Sequence, residues 1–369
     1  MTNNNPSALD RLFPEPMSYH KGHVAKEVRQ VQSGGGSPRL QRLTPKQKLA
    51  GIVRRRPEVI FKIGRANIKS VFHMQAAADY ISRNGKIETE DQDGFVHLSK
   101  AQIRTVIEHW KFASQIPSTE RPDDRRGHGR RIILSMPVGT NVEGFKKACR
   151  KWAHDCLKGH DYLLAFHTAE NDKRTTQPHC HILVRTLGHD GKRLHIDNAR
   201  RSEMREYFAV CLREQGIEAN ATQRWQRGVT RRSLEQPEFH NAQKVQSDKE
   251  RARKHAIARK KQTKLLRTLQ SRLDVVQQAA KSGHPITDSP GIVKAKKRRQ
   301  TLNSLLQQTI DDLSEGTPGD RVLAEETRQY VSNLPPVESA VQQASRTLSD
   351  KAKNIQRMQA MKKRKALVR

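Results

Sequence analysis

Two short apolar runs, Tyr162-Leu-Leu-Ala-Phe-His167 and His179-Cys-His181-Ile-Leu-Val184, flank a polar insert. This stretch constrains the fold more than any other. Side chains alternate faces along a strand with a rise of about 3.3 Å per residue, so His179 and His181 share one face and Cys180 takes the other. If the run ending at His167 pairs alongside, its imidazole completes a three-nitrogen metal site. Three neutral nitrogens suit zinc, manganese or another divalent ion.

The rest of the chain supplies a frame for such a pair of strands. Val59 to Ile63 reads as a strand. A helix follows from Asn67 to Arg83, with Val71, Met74, Ala78 and Ile81 on one stripe and Tyr80 off it in the last turn. Asn84-Gly85 supplies its stop. Ser99 with Gln102 has the spacing of a capping box before Ile103, Val106, Ile107 and Trp110. Arg121 to Gly129 is a charged loop, and Arg131 to Met136 a buried strand ended by Pro137. Phe145, Ala148, Cys149, Trp152, Ala153 and Cys156 form a helical stripe. Asp190-Gly191 between Leu187 and Leu194 signals a hairpin turn. A helix carrying Met204, Phe208, Cys211 and Leu212 ends at Gly216. Residues 57–232 therefore predict an α+β domain in two layers, a mostly antiparallel central sheet covered by helices. Residues 1–56, with Gly34 to Pro38, predict a disordered basic arm. Residues 233–369 predict a basic helical extension, with helices at Thr301–Leu313 and Arg321–Leu334, an apolar face through Leu265, Leu266, Leu269, Leu273 and Val276, and a basic tail at Met361 to Lys365.

Charge narrows the class of partner. The 369 residues carry 70 Lys and Arg against 38 Asp and Glu, a net +32, with only 34% hydrophobic and 5% aromatic residues. Such an excess calls for a polyanion, nucleic acid first. The basic stretches lack the aromatic anchors of a membrane-surface helix. No run approaches the roughly 20 apolar residues of a membrane span. Met1 to Pro6 has no secretory apolar core, so a cytoplasmic location is expected. Four cysteines at 149, 156, 180 and 211 show no metal-pair spacing, and Cys149, Cys156 and Cys211 fall on apolar helix stripes and read as buried thiols.

The histidines and the positive charge give Tyr80 a chemical role. A divalent ion on a phosphate oxygen offsets charge developing in displacement, and a tyrosine hydroxyl can attack the phosphorus to give a phosphotyrosine. Arg83 and Lys86, just beyond Tyr80, are the cations that could hold the phosphate. The link keeps the energy of the broken ester, so a free hydroxyl end can reverse the step.

At this point the chain resembles the relaxases, the mobilisation nucleases of conjugative plasmids, of the type that includes the T-DNA border endonuclease. Asp79 to Lys86 resembles their nucleophile motif, Ile132 to Thr140 their middle strand motif, and Tyr162 to His167 with Pro178 to Ile182 their three-histidine motif. Ala221-Thr222 through Arg227-Gly228 resembles the end of their nuclease domain. The motifs stand in family order over residues 57–230.

The resemblance implies an antiparallel central sheet and metal-dependent, site- and strand-specific nicking at a transfer origin. Tyr80 would be joined to the 5′ phosphate. Mg2+ or Mn2+, or Zn2+, would sit on His167, His179 and His181. It also implies single-stranded and supercoiled plasmid DNA, relaxosome accessory proteins and a type IV coupling protein as partners. The protein would work in the bacterial cytoplasm, pass with the strand to the recipient, and use residues 233–369 as secretion signal and accessory contact. The sequence departs from the family at two places. Ala169 stands where an aspartate is usual, leaving Glu170 and Asp172 as candidates for the carboxylate that orients the histidines. Arg131 stands where many relatives carry histidine, with His128 nearby. Two other readings share these features: a rolling-circle replication initiator, whose nucleophile usually follows its histidines, and a non-catalytic basic DNA-binding accessory protein.

Overall fold

The structure, a computed structural model, describes residues 6–14, 42–64, 68–119, 127–172, 176–230, 271, 274–279 and 286–351. Two compact units are present: residues 1–223 with 316–326, and residues 224–315 with 327–369.

The first unit is built on a six-stranded sheet: β1 (Ile60–Ile63), β2 (Thr89–Asp91), β3 (Val96–His97), β4 (Gly129–Ser135), β5 (Tyr162–His167) and β6 (His179–Arg185). The spatial order is β1-β4-β6-β5-β2-β3, and all neighbours are antiparallel. The α+β class, the antiparallel sheet and the helical C-terminal region are as the sequence predicts. Layering differs. β5 is buried at every position and β6 at all but one, so both faces of these central strands are covered. Such strands read as continuous apolar runs rather than alternating ones.

On one face α3 (Val71–Ile81) and α4 (Lys100–Ser114) pack Met74, Ala78, Ile81, Ile103, Ile107 and Trp110 against Leu163, Ala165 and Leu183. On the other, α5 (Val142–Cys156) and α6 (Asn198–Glu214) pack Phe145, Trp152 and Phe208 against Leu164, Cys180 and Ile182. The sheet thus lies between two helical layers, not under one. Burying each large side chain contributes roughly 1.5–3 kcal/mol, and Trp152 also donates its indole N–H to the Met204 carbonyl at 2.8 Å.

The expected disordered arm is partly ordered. Residues 8–12 form α1 (Ala8–Leu12) and residues 45–53 form α2 (Pro45–Val53), with Leu12, Leu49 and Ile52 buried. Thr44 and Gln47 make a reciprocal capping box around Pro45, a start signal overshadowed in the sequence by the glycines and charges before it. Arg54 and Arg56 pair with Glu326 and Glu218.

The β2–β3 hairpin is a further addition to the elements that the sequence predicts. Asp91 Oδ1 accepts from the Asp93 and Phe95 amides, and Gly94 takes φ +84° at the turn. The helix predicted over 67–83 is shorter at both ends among the described residues.

In the second unit, α7 (Pro290–Ser314) buries Leu302, Leu305, Leu306, Ile310 and Leu313, while Lys294, Lys296, Lys297 and Arg298 are exposed. The helix α8 (Pro318–Ser332) spans residues of both units. Leu265, Leu266, Leu269, Leu273, the tail at 361–365 and most of the 121–129 loop lie outside the described residues. Among those described, no helix is long and apolar enough to cross a membrane.

Candidate active site

Strand register assembles the histidines. His167 of β5 is the cross-strand partner of His179 of β6, and His181 follows two residues on, opposite Ala165. All three project from one face. His167 and His179 stack with ring centroids 4.9 Å apart, and His181 stands edge-on to them at 4.8 and 4.9 Å. One nitrogen from each lies within 4.8 Å of the others. Cys180 points into the opposite core, and all four cysteines are buried and free.

The three histidines form a donor set of the kind a divalent cation takes, once His167 Nε2 turns from the Ile81 carbonyl oxygen it faces here. Burial holds the His181 imidazole down to about 2, helped by the neighbouring His167, His179, Arg83 and Arg131, and burial likewise lowers His179. Both rings therefore keep a lone pair at neutral pH, as ligation requires. His167 is fully buried. Its Nδ1 lies 2.8 Å from Asp172 Oδ2, and its Nε2 lies 2.6 Å from the Ile81 carbonyl oxygen. An imidazole oriented by a carboxylate is the common arrangement behind a metal ligand.

Asp172 reaches that position because its loop is folded back on itself. Asn171 donates to the Phe166 carbonyl and accepts from the Thr168 amide, both at 2.8 Å, while the Asp172 amide bonds the Thr168 carbonyl at 2.9 Å. Glu170 is exposed on the same loop. Of the two carboxylates singled out in the sequence, only Asp172 is brought to the histidines. Arg83 closes the other side of it, with Nη2 2.7 Å and Nε 3.1 Å from the same Oδ2.

Tyr80 arrives from the adjoining helix. Met74, Ala77, Ala78 and Ile81 fix α3 on the histidine face of the sheet, which leaves Tyr80 at the rim, 38% exposed. Its ring meets His181 edge-on at 5.6 Å. The guanidinium groups of Arg83 and Arg131 lie 5.4 and 5.5 Å from its centroid.

The chain then turns sharply. Arg83, Asn84 and Gly85 take φ of +52°, +60° and +79° in succession. The Asn84 amide bonds the Asp79 carbonyl at 2.7 Å, and Ser82 Oγ donates to the Ala78 carbonyl and accepts from the Gly85 amide. A left-handed arginine is costly, and such backbone collects at functional sites. Lys100, the first residue of α4, holds the turn from outside through Asp79 at 2.8 Å.

Of the two cations expected on the phosphate, Arg83 lies beside Tyr80 but is engaged by Asp172, and Lys86 is exposed beyond the turn. Arg131, which its sequence neighbourhood does not mark as a phosphate cation, is placed by strand alternation with Ile133 and Ser135 on the histidine face of β4. His128 is buried at the other end of β4 from the Ser135–His179 pair. Tyr162 is core, and burial raises its phenol to about 12. Burial and the Asp155 carboxylate raise Tyr207 as well.

Residues 80–217 match the family model described as Relaxase: MobA/VirD2-like, nuclease domain. The chain is 26% identical over 186 residues to the T-DNA border endonuclease VirD2 of Rhizobium radiobacter, a match covering 46% of this chain and 43% of that protein. It is 25% identical over 188 residues to the T-DNA border endonuclease VirD2 of Agrobacterium fabrum, covering 46% and 40%. The chain therefore spans less than half the length of these relatives. No solved structure matches it.

Proposed function

With a nuclease domain of the MobA/VirD2-like relaxase family in residues 80–217, we propose that the chain nicks one strand of plasmid DNA at a transfer origin and stays covalently attached through Tyr80. The observation that carries this reading is the Tyr80 ring set edge-on against His181 of a buried three-histidine cluster.

In the proposed step the Tyr80 oxygen forms a bond to the scissile phosphorus, and the bond to the 3′ oxygen breaks. That oxygen leaves with its electron pair and takes up a proton, the phenol having lost one. The products are a 5′-phosphotyrosine and a free 3′ hydroxyl, and the reverse step rejoins the strand. His167, His179 and His181 would hold Mg2+ or Mn2+, with Zn2+ also suited to the donors. Such an ion, when bound, polarises a phosphate oxygen and offsets the charge that develops on it. Asp172 keeps His167 in place, and Arg83 keeps Asp172 in place.

The same reading makes single-stranded and supercoiled plasmid DNA the substrate. Relaxosome accessory proteins and a type IV coupling protein become the partners, and the bacterial cytoplasm the starting point before transfer with the strand. The basic helical residues 233–369 would serve that export and assembly.

The test uses the full chain, Mn2+ and a supercoiled plasmid carrying the DNA that flanks its own coding sequence. Detergent quenching should give an open circle with protein on the 5′ end, and chelation should prevent it. The Tyr80→Phe variant should form no adduct. An adduct formed as well by Tyr80→Phe would refute the nucleophile, and DNA binding with no cleavage under any divalent ion would favour the accessory-protein reading.

A further inference from the structure

Two arginines face the Tyr80 ring, and their surroundings differ. Arg83 gives two nitrogens to Asp172, whose carboxylate also holds His167. Arg131 approaches from β4 at 5.5 Å, half-buried, and among the described residues no carboxylate lies within ion-pair distance of its guanidinium. The neighbourhood it enters is already cationic or neutral: three imidazoles, Arg83, and one carboxylate that is doubly engaged. A half-buried cation without an anion is unfavourable until one arrives. The anion required must be accessible from solvent at the Tyr80 rim and must suit a planar fork of N–H donors, which a phosphate does.

The backbone beside Arg131 is arranged for its side chain. The Gly64 amide bonds the Arg131 carbonyl at 2.7 Å, and a Cβ on Gly64 would come within 3.3 Å of Arg131 Cβ and 3.6 Å of its Nε. The glycine leaves the arginine stem its path along the sheet toward Tyr80.

We propose that Arg131 binds the non-bridging oxygens of the scissile phosphate and holds the phosphorus in line with the Tyr80 hydroxyl, while Arg83 is a positioning residue that acts on His167 through Asp172. This rests on the relaxase reading above. Arg131 is thus the substrate cation of the site, in the place assigned from sequence to Arg83 and Lys86.

The test compares the full chain with its Arg131→Ala and Arg83→Ala variants, using the same plasmid and Mn2+. Two quantities are read: the single-turnover rate of adduct formation at saturating DNA, and Mn2+ affinity without DNA. Arg131→Ala should slow adduct formation by about 100-fold or more, as loss of one preorganised charge-stabilising group does, with unchanged Mn2+ affinity. Added free guanidinium, at concentrations too low to unfold the protein, should restore part of that rate. Arg83→Ala should weaken Mn2+ binding and should not be rescued. Should Arg131→Ala fail to fold, Arg131→Lys carries the comparison. It keeps the charge without the fork and should remain at least about tenfold slow.

An Arg131→Ala rate within about threefold of wild type would overturn the proposal. So would a slow Arg131→Ala that loses Mn2+ affinity in parallel and ignores guanidinium. Wild-type protein that forms no adduct would instead defeat the relaxase reading itself, and this assignment with it.

Discussion

Asp172 Oδ2 receives both Arg83 and His167, so three side chains from two segments share one oxygen. Removing its charge should act mainly on the histidine cluster. Asp172→Asn is expected to lower Mn2+ affinity about 10–100-fold, the usual effect of losing the partner behind a ligating histidine. Glu170→Gln, two residues away but facing solvent, should leave it unchanged. Isothermal titration of both variants checks this, and equal losses would contradict the assignment.

A second residue-scale consequence concerns acid. In metal-free protein, burial holds His181 at about 2, against about 6.5 in an unfolded chain. The unfolded chain takes the proton first as pH falls. The stability in question is therefore complete above about 6.5 and is lost as pH drops toward the folded value, with a limiting slope of about 1.4 kcal/mol per pH unit for each such histidine. His179 shifts in the same direction. Melting temperature in a chelating buffer should fall from pH 7 to 5, and His181→Asn should flatten that fall. An unchanged slope in His181→Asn would rule out this origin.

At the scale of elements, the site depends on how α3 ends and α4 begins. Gly85 at φ +79° is in a region that other residues enter only with strain, and a Cβ there would meet the Lys100 amide nitrogen at 2.4 Å. Gly85→Ala should cost more than about 1 kcal/mol. It should also displace Tyr80, lowering adduct yield more than DNA binding. A thermal melt and an adduct assay read the two effects separately, and a wild-type adduct yield would show that the turn does not position the nucleophile.

This junction also marks the limit of what was legible in the sequence. Asn84-Gly85 and the Ser99–Gln102 box announced both ends, because turn and cap chemistry is local. The three histidines were legible for the same reason, since strand alternation fixes His179 and His181 on one face. Arg131 was not, because its importance depends on which helix covers that face. The second helical layer was hidden too. Strands buried on both sides lose the alternation that would show where each layer packs, and α5 and α6 advertise an apolar stripe without saying which face receives it.

At the scale of the molecule, charge and catalysis are separated along the chain. Residues 80–217, which match the nuclease family and contain every side chain of the candidate site, hold 24 Lys and Arg against 18 Asp and Glu, only +6 of the total +32. The remaining +26 lies before and after. Phosphate contacts release counterions, and each contact adds about 0.7 to the logarithmic salt slope on single strands. If the outlying cations contact DNA, the full chain and a fragment ending at residue 230 should differ in salt dependence far more than in chemistry. The truncation removes residues 316–326 of the first unit, among them Asp320 and Glu326, the partners of half-exposed Lys46 and Arg54 in surface ion pairs that contribute little. Binding of a labelled single-stranded oligonucleotide, followed by anisotropy between about 50 and 200 mM salt, should give a slope several units steeper for the full chain. The adduct rate at saturating DNA should be nearly the same in both. Equal slopes would mean that the charge beyond residue 230 does not touch DNA. A fragment that binds normally but cannot form the adduct would place an essential part of the site beyond residue 230.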